Sequence, residues 1–470
     1  MLHESNQEIE KILVNDNNNI EQMEVDENNE NYTTTEKIIY ILKGISSIIS
    51  GIIHNFGFFS IFALGYTTIY LISFRRHYNQ NLEFSHSYCI MPLINLTLGL
   101  TGPLAGIIED KFGGKITIFI SNLVLCISFS LLYYSRSIYI DYFLMCLIGL
   151  GIGIGINITK KNACSFFMNR KCLIIGIINL IPSLLTFALI YYNEMDILNY
   201  ACEPPFIEQT FYRKKVFINY QKLIIFEIKI LIYTCLGTIL LYFENDPEET
   251  IKFGFNEKVE NDNNKNNNEI KPIHNKKKTT KKEKIKKALY NKRTIKLIIM
   301  VFFFFPKINL IHNSLRMDIT FHFIYAVLYS IVASISLLIF TIIGDCIQFR
   351  ILFVFLSLLL SGSSFVLVNY LNEGFVIFLE TIFVSFIFNG FNIIFDSHIM
   401  KVYGVENYID ILGIIRFSGG LSEICGIIFK FGLNYETYGY KIVYFTTGSF
   451  GLFSLGISLF ECEDKYDYDN

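Results

Sequence analysis

The sequence predicts an all-α polytopic membrane protein with twelve transmembrane helices, arranged as two six-helix halves. Three observations lead to this prediction. Hydrophobic residues make up 52% of the 470-residue chain and charged residues only 17%, so most of the surface has to face lipid. Apolar runs of about 20 residues, the length that crosses a bilayer, recur between polar or turn residues. A long charged segment separates the first six runs from the last six.

The predicted spans are numbered 1 to 12 in chain order. In the N-terminal half, residues 37–243, they cover about 38–60, 87–109, 115–134, 138–160, 172–192 and 222–243. In the C-terminal half, residues 295–460, they cover about 295–315, 321–343, 350–370, 374–396, 409–431 and 439–460.

Three polar segments flank and divide the two halves. Residues 1–36 are acidic and Asn-rich and predict a disordered N-terminal tail, and residues 461–470 form an acidic C-terminal tail. Residues 244–294 form a charged linker rich in Asn and Lys. No basic segment followed by a short apolar run and a small-residue cleavage site precedes span 1, so we expect no cleavable signal peptide.

Basic residues predict which side of the membrane the loops occupy. The linker carries a basic run from Lys276 to Lys287, and Lys160, Lys161 and Lys171 lie between spans 4 and 5. The positive-inside rule therefore predicts a cytoplasmic linker and two cytoplasmic termini. The simpler interpretation of the basic run is a solvated linker, and the alternative is binding to anionic lipid. Plasma membrane and organelle membrane are both compatible with these features.

The most specific motif follows span 2 and reads Gly106-Ile-Ile-Glu-Asp110-Lys111-Phe-Gly113-Gly114-Lys115. Gly106 allows close contact between helices, and Gly113 permits a tight reversal. Asp110 ends its helix in the aqueous layer, while Lys111 and Lys115 hold the loop in the cytoplasm. The pattern resembles the loop G-x-x-x-D-[RK]-x-G-x-[RK] between the second and third helices of the major facilitator superfamily.

This resemblance implies the major facilitator fold and a secondary active transporter that works by alternating access between two halves. It also implies a gate on the inward side, formed by Asp110 and its loop, with the positive end of span 11 as partner. The second half contains similar residues with a different spacing: Gly344-Asp345 at the end of span 8 and Arg350 near the start of span 9.

Further segments are similar to one branch of that superfamily. The run Gly149-Leu-Gly151-Ile-Gly153-Ile-Gly155 in span 4 and the stretch from Ser165 to Gly176 resemble the monocarboxylate transporter and oxalate/formate antiporter branch. The resemblance implies a small monocarboxylate such as pyruvate or lactate, with proton symport as an option. Span 8 departs from the branch, because residues 321–343 hold no charged side chain where the branch has an arginine. The alternatives are another solute (an amino acid, a sugar or a drug-like cation) or a non-transporting subunit or sensor with a partner carrier.

Ionisable side chains inside the spans are candidates for handling the solute, because each costs about 2.5–3.5 kcal/mol in lipid without a pathway or a partner. Arg416 lies in the middle of span 11, and the antiporter branch is similar in placing there a cation that meets a substrate carboxylate. The alternative for Arg416 is a structural ion pair with another span. Pro306 kinks span 7, so Lys307 is a second candidate for lining the cavity.

Polar stripes on spans 1 and 10 add candidates. Ser50 and His54 share one face of span 1, where His54 binds the solute or carries a proton. The alternative is a histidine that is hydrogen-bonded to a neighbouring span. Asn389 and Asn392 of span 10 are predicted to bind solute. The candidates for proton coupling are His54, Asp396 and Glu423, and Asp396 is also a candidate gate or helix cap.

Several functions are not expected from this sequence. It contains no G-x-S-x-G, no H-E-x-x-H and no paired-carboxylate metal motif, so we expect neither an enzyme nor a cofactor or metal. The ten cysteines include no C-x-x-C pair, which argues against a zinc site or a disulfide framework. The expected partners are the lipid bilayer, a small organic anion and protons, and no nucleic acid.

Overall fold

The computed structural model describes residues 34–66, 71–72, 74–75, 82, 86, 89–201, 214–245, 281–304, 319–370, 374–432 and 435–459. Helices dominate these ranges, which contain no β-strand. The first half consists of α1 (Thr34–Tyr66), α2 (Ile90–Leu100), α3 (Gly102–Phe112), α4 (Gly114–Tyr134), α5 (Ile138–Gly155), α6 (Ile158–Phe166), α7 (Lys171–Ala201) and α8 (Lys214–Leu241). The remainder consists of α9 (Lys281–Tyr290), α10 (Lys292–Phe304), α11 (Ile319–Ile343), α12 (Phe349–Tyr370), α13 (Gly374–Gly432) and α14 (Tyr435–Ser458).

Each of the twelve predicted spans overlaps one of these helices. Seven helices in the described ranges are long and apolar enough to cross a membrane, or eight if the bent pair α2 and α3 is counted as one span. The segment α13 consists of two helices, which correspond to spans 10 and 11 and meet at a turn at Gly404 with φ 80° and ψ 158°. Spans 8 and 12 contribute shorter apolar segments, Ser330–Ile343 and Gly448–Ser458. The chain is therefore an integral, multi-pass membrane protein.

Span 2 is bent by 45° between α2 and α3. Pro103 occupies the first turn of α3, where it cannot donate a backbone hydrogen bond to the preceding turn. Thr101 lies at the break, and its Oγ1 donates to Thr97 O at 3.0 Å. The bend brings α3 against α13 of the other half.

The two halves pack against each other mainly through two pairs of spans. Span 2 contacts span 11 (α2 and α3 on α13), and span 5 contacts span 8 (α7 on α11). One apolar core is shared by both halves and includes Ile175 and Tyr242 of the first half and Phe340 and Tyr403 of the second. We call the end of the bundle that carries the turns at Gly113, Asp345 and Gly404 the linker end. The predicted tails and most of the linker lie outside the described residues.

Candidate functional site

Three charged side chains meet where the two halves join. Arg416 Nη2 lies 2.6 Å from Asp396 Oδ1, and Lys160 Nζ lies 3.4 Å from Asp396 Oδ2. Asp396 and Lys160 are buried, with 1% and 4% of their side chains exposed, and Arg416 retains 16%. Since two cations share one carboxylate, these three side chains together have a formal charge of +1. We call them the charge cluster.

The fold of α13 and of span 4 brings the charge cluster together. Asp396 and Arg416 are 20 residues apart in the sequence. They become neighbours because the chain reverses direction at Gly404, between the two helices of α13. The positive φ of this turn favours glycine. Lys160 comes from the other half, on α6, which continues span 4 to Phe166. Near the cluster Tyr408 Oη donates to Asn157 Oδ1 at 3.4 Å, a second polar contact across the halves.

The prediction that Lys160 and Lys161 lie in a loop is corrected, because both residues lie on α6 and Lys160 is buried in the protein. For Arg416, the structure shows the contact that was the alternative interpretation, an ion pair with another span. The sequence could not pair these residues, since the partner of Lys160 is 236 positions away in the opposite half.

Spans 2 and 11 form the first seam between the halves, which we call the 2/11 seam. A side chain on Gly102 would overlap the backbone of Gly413, and one on Gly99 would overlap the backbone of Phe417. Nearer the linker end, a side chain on Gly106 would overlap the carboxylate of Asp410. Asn95 Nδ2 donates to Glu423 Oε2 at 2.8 Å along the same pair of spans. The 2/11 seam thus depends on backbones that approach closely because glycine has no side chain.

Spans 5 and 8 form the second seam, the 5/8 seam. The carboxylate of Asp345 accepts hydrogen bonds from the backbone N–H groups of Cys172 at 3.1 Å and Leu173 at 2.9 Å, at the N-terminus of α7. Lys401 Nζ lies 3.3 Å from the same carboxylate. Deeper in the seam, the hydroxyls of Ser183 and Ser334 are 3.2 Å apart. Both seams are therefore closed at the linker end.

The loop that follows span 2 has the predicted reversal, with Gly113 at φ 79° and ψ 166°. Gly114 N donates to Glu244 Oε1 at 2.6 Å, which ties the loop to the end of span 6. Lys115 Nζ lies 6.0 Å from the centre of the Phe243 ring. Asp110 and Lys111 are exposed at this turn. The gate that we predicted for Asp110 and its loop stays a prediction.

Other predicted site residues lie in several places. Ser50 Oγ donates to Thr238 O of span 6 at 3.1 Å, so it packs inside the first half. His54 is buried against the Phe58 ring, with the ring centres 4.4 Å apart. Asn389 Nδ2 donates to Ser385 O in its own helix at 2.9 Å. Their roles in binding solute or protons stay predictions.

Three further predicted residues complete the set. Glu423 is buried and accepts from Asn95 across the 2/11 seam, and its role in proton coupling stays a prediction. Asn392 is half-buried one turn before Asp396 on the same helix. Lys307 lies outside the described residues.

Two buried carboxylates of the first half were not among the predicted site residues. Asp141 Oδ1 accepts from Arg75 Nη2 at 2.9 Å, and both side chains are fully buried. Glu227 is also fully buried and accepts a hydrogen bond from Ser60 Oγ at 2.8 Å. These contacts join elements of the first half to one another and do not cross the seams.

Comparison with known proteins gives the fold its name. No protein-family model matches the sequence, and no curated protein matches it. Among solved structures, the E. coli fucose:proton symporter FucP aligns over 90% of this chain and 100% of its own, with a TM-score of 0.62 and 11% identity. The human organic anion transporter MFSD10 aligns over 89% and 99%, also with a TM-score of 0.62 and 11% identity. This chain has the major facilitator fold.

A third solved structure agrees. The major facilitator superfamily proton:xylose symporter XylE aligns over 90% of this chain and 95% of its own, with a TM-score of 0.60 and 11% identity. The predicted fold class is confirmed. At such identities the likeness defines the fold and not the solute, so the resemblance to the monocarboxylate branch stays a prediction.

Proposed function

We propose that this protein is a secondary active transporter of a small organic anion, a monocarboxylate such as pyruvate or lactate. The charge cluster carries this proposal. A surplus positive charge that is buried between two halves is costly unless an anion compensates it. The carboxylate of a solute supplies that compensation.

The closed seams support a specific cycle of alternating access. When the two halves rock apart at the linker end, Lys160 separates from Asp396 and Arg416, because it belongs to the other half. A solute carboxylate then binds Arg416 in a region shielded from bulk water, where the attraction between opposite charges is stronger than at the surface. Closing the linker end around the solute brings Lys160 back as a second cation.

Proton coupling is the finer part of the proposal. Once the solute carboxylate binds Arg416, Asp396 loses one of its two cationic partners. Asp396 then carries one proton with each anion, which is symport. His54 and Glu423 remain candidates for passing that proton.

A neutral solute is the second candidate, and one observation favours it. Asp396 already engages both cations of the charge cluster, so the cluster can also act only as a gate between the halves. Two neighbours with this fold, FucP and XylE, are named as symporters of fucose and xylose. In that case the solute binds elsewhere between the halves.

Uptake of labelled pyruvate, lactate and formate into proteoliposomes, with and without an inward proton gradient, tests the proposal. The Arg416→Ala variant should lower saturable uptake by about thirtyfold or more, since removing one partner of a buried charge pair weakens binding by about 2–5 kcal/mol. The fold should persist because Lys160 still compensates Asp396. The control is Arg350→Ala, an arginine on the exposed side of α12.

The other outcomes are equally informative. Folded protein that takes up none of the three acids contradicts the anion proposal, and uptake of labelled fucose or xylose would then favour the neutral solute. If neither class is transported and a second carrier co-purifies, the protein is a non-transporting subunit.

A further inference from the structure

The helix α9 and the first turn of α10 carry a high density of positive charge at the linker end. Residues 281–296 hold eight Lys or Arg side chains and one acidic residue, Glu283. Lys286, Lys287 and Lys292 are exposed. Charge alone would fit a solvated linker, so the position of this segment decides its role.

The bundle holds α9 in a fixed position. Thr294 Oγ1 donates to Ala288 O at 2.6 Å, and the same hydroxyl is 2.8 Å from Tyr403 Oη. Ala288 and Thr294 are fully buried. Between the helices, Asn291 Oδ1 accepts from Arg293 N at 2.8 Å and caps the start of α10. These contacts pack α9 against the turn between spans 10 and 11.

One face of α10 carries exposed apolar side chains and a lysine in the first turn of the helix. Positions 292, 295, 296 and 299 share one face of a helix, because they are three or four residues apart. Ile295 and Ile299 are 44% and 37% exposed on predicted span 7, so we expect them to face lipid, and the half-buried Lys296 lies between them. Lys292 stands on the same face about 10 Å beyond Ile299, at 1.5 Å per residue. Lys292 therefore lies at the linker-end edge of this face, next to α9.

We infer that α9 and the first turn of α10 form a binding site for the headgroup of an anionic phospholipid. Lys286, Lys287 and Lys292 bind the phosphate, while Ile295 and Ile299 contact the acyl chains. Tyr290, 78% exposed between the two helices, has the amphipathic ring that is enriched at this depth of the bilayer. A soluble phosphate would leave the apolar part of this surface unused, so a lipid fits it better. The inference is independent of the solute that the protein moves.

The test uses the purified full chain in detergent, titrated with dioleoylphosphatidylglycerol or dioleoylphosphatidylcholine and followed by native mass spectrometry. A helix variant carries Lys286→Gln, Lys287→Gln and Lys292→Gln. A matched control carries Lys276→Gln, Lys277→Gln and Lys278→Gln, which removes the same charge from the same linker. We expect the helix variant to bind phosphatidylglycerol on the order of a hundredfold more weakly than wild type and the control to bind it normally.

Phosphatidylcholine should bind all three proteins equally. Equal binding of phosphatidylglycerol by the helix variant and wild type would overturn the inference, and so would equal weakening in both triple variants. Two measurements avoid dependence on the folding of the helix variant. Glu283→Gln should tighten binding of phosphatidylglycerol, and added salt should weaken its binding to the wild-type protein. Insensitivity to both would also contradict the inference.

Discussion

The 2/11 seam and the 5/8 seam close the same end of the bundle by different chemistry. At the 2/11 seam, Gly102 lies against Gly413 backbone to backbone, and almost any side chain would separate them. At the 5/8 seam, Asp345 accepts two backbone N–H groups at the start of α7, a contact that side chains of similar shape can partly replace. The first seam should therefore fail sharply when altered, whereas the second should weaken in steps.

The same comparison explains the degenerate motif of the second half. Gly344 and Asp345 lack the spacing of the motif at Gly106, yet Asp345 places a carboxylate at a helix N-terminus of the opposite half. Negative charge at that position is stabilised by the positive end of the helix dipole. The second half thus makes a contact between a carboxylate and a helix N-terminus, of the kind that we predicted for Asp110.

The largest effect is expected from Gly102→Ala at the 2/11 seam. The added methyl group would overlap Gly413, and relieving such overpacking costs about 1–3 kcal/mol, which opens the linker end. Maleimide labelling of Cys172, which is fully buried at that end, should rise by about 5- to 150-fold and uptake should fall. Gly362→Ala is the control, because a Cβ at Gly362 meets nothing within 4 Å. Similar labelling rates in both variants would mean that the glycine contact does not hold the seam.

An intermediate effect is expected from Asp345→Ala at the 5/8 seam. Loss of a helix-capping side chain costs about 0.5–2 kcal/mol, so labelling of Cys172 should rise by about 2- to 30-fold. Asp345→Asn keeps an oxygen that can accept from Cys172 N and Leu173 N, and it should restore most of the protection. If Asn behaves like Ala, the contact works through charge alone and not through capping.

The smallest effect is expected from Lys161→Gln. Lys161 Nζ lies 2.8 Å from Glu109 Oε2, but both residues belong to the first half and are partly exposed. Such pairs contribute about 0–1 kcal/mol, and this one crosses neither seam. Labelling of Cys172 and uptake should stay near wild-type values, and a large change in either would show that the loop after span 2 controls the gate.

The order of helices was predictable from the sequence, because apolar length and turn residues are local signals. The reversal at Gly113 was predictable for the same reason, since only a few residue types adopt a positive φ without strain. The exact position of the turn between spans 10 and 11, at Gly404, was not predicted, because the sequence between them has no long polar segment and the turn depends on packing.

The charge cluster was predictable only in part. Arg416 and Asp396 stood out as charged residues within apolar spans, and an ion pair was one interpretation of Arg416. Lys160 did not stand out, because a lysine at the end of an apolar run usually marks a loop. Its role depends on a contact between halves, which neither helical periodicity nor local motifs encode.

The hairpin at Gly404 has a consequence for how the chain enters the membrane. Arg416 alone at the centre of a helix costs about 2.5–3.5 kcal/mol to insert. Because Asp396 lies on the neighbouring arm of the same hairpin, the two charges can neutralise each other as soon as both arms are made. Lys160 belongs to the other half, so its contact with Asp396 forms only when the two halves assemble. A carrier that opens between its halves would break and remake that contact in every cycle.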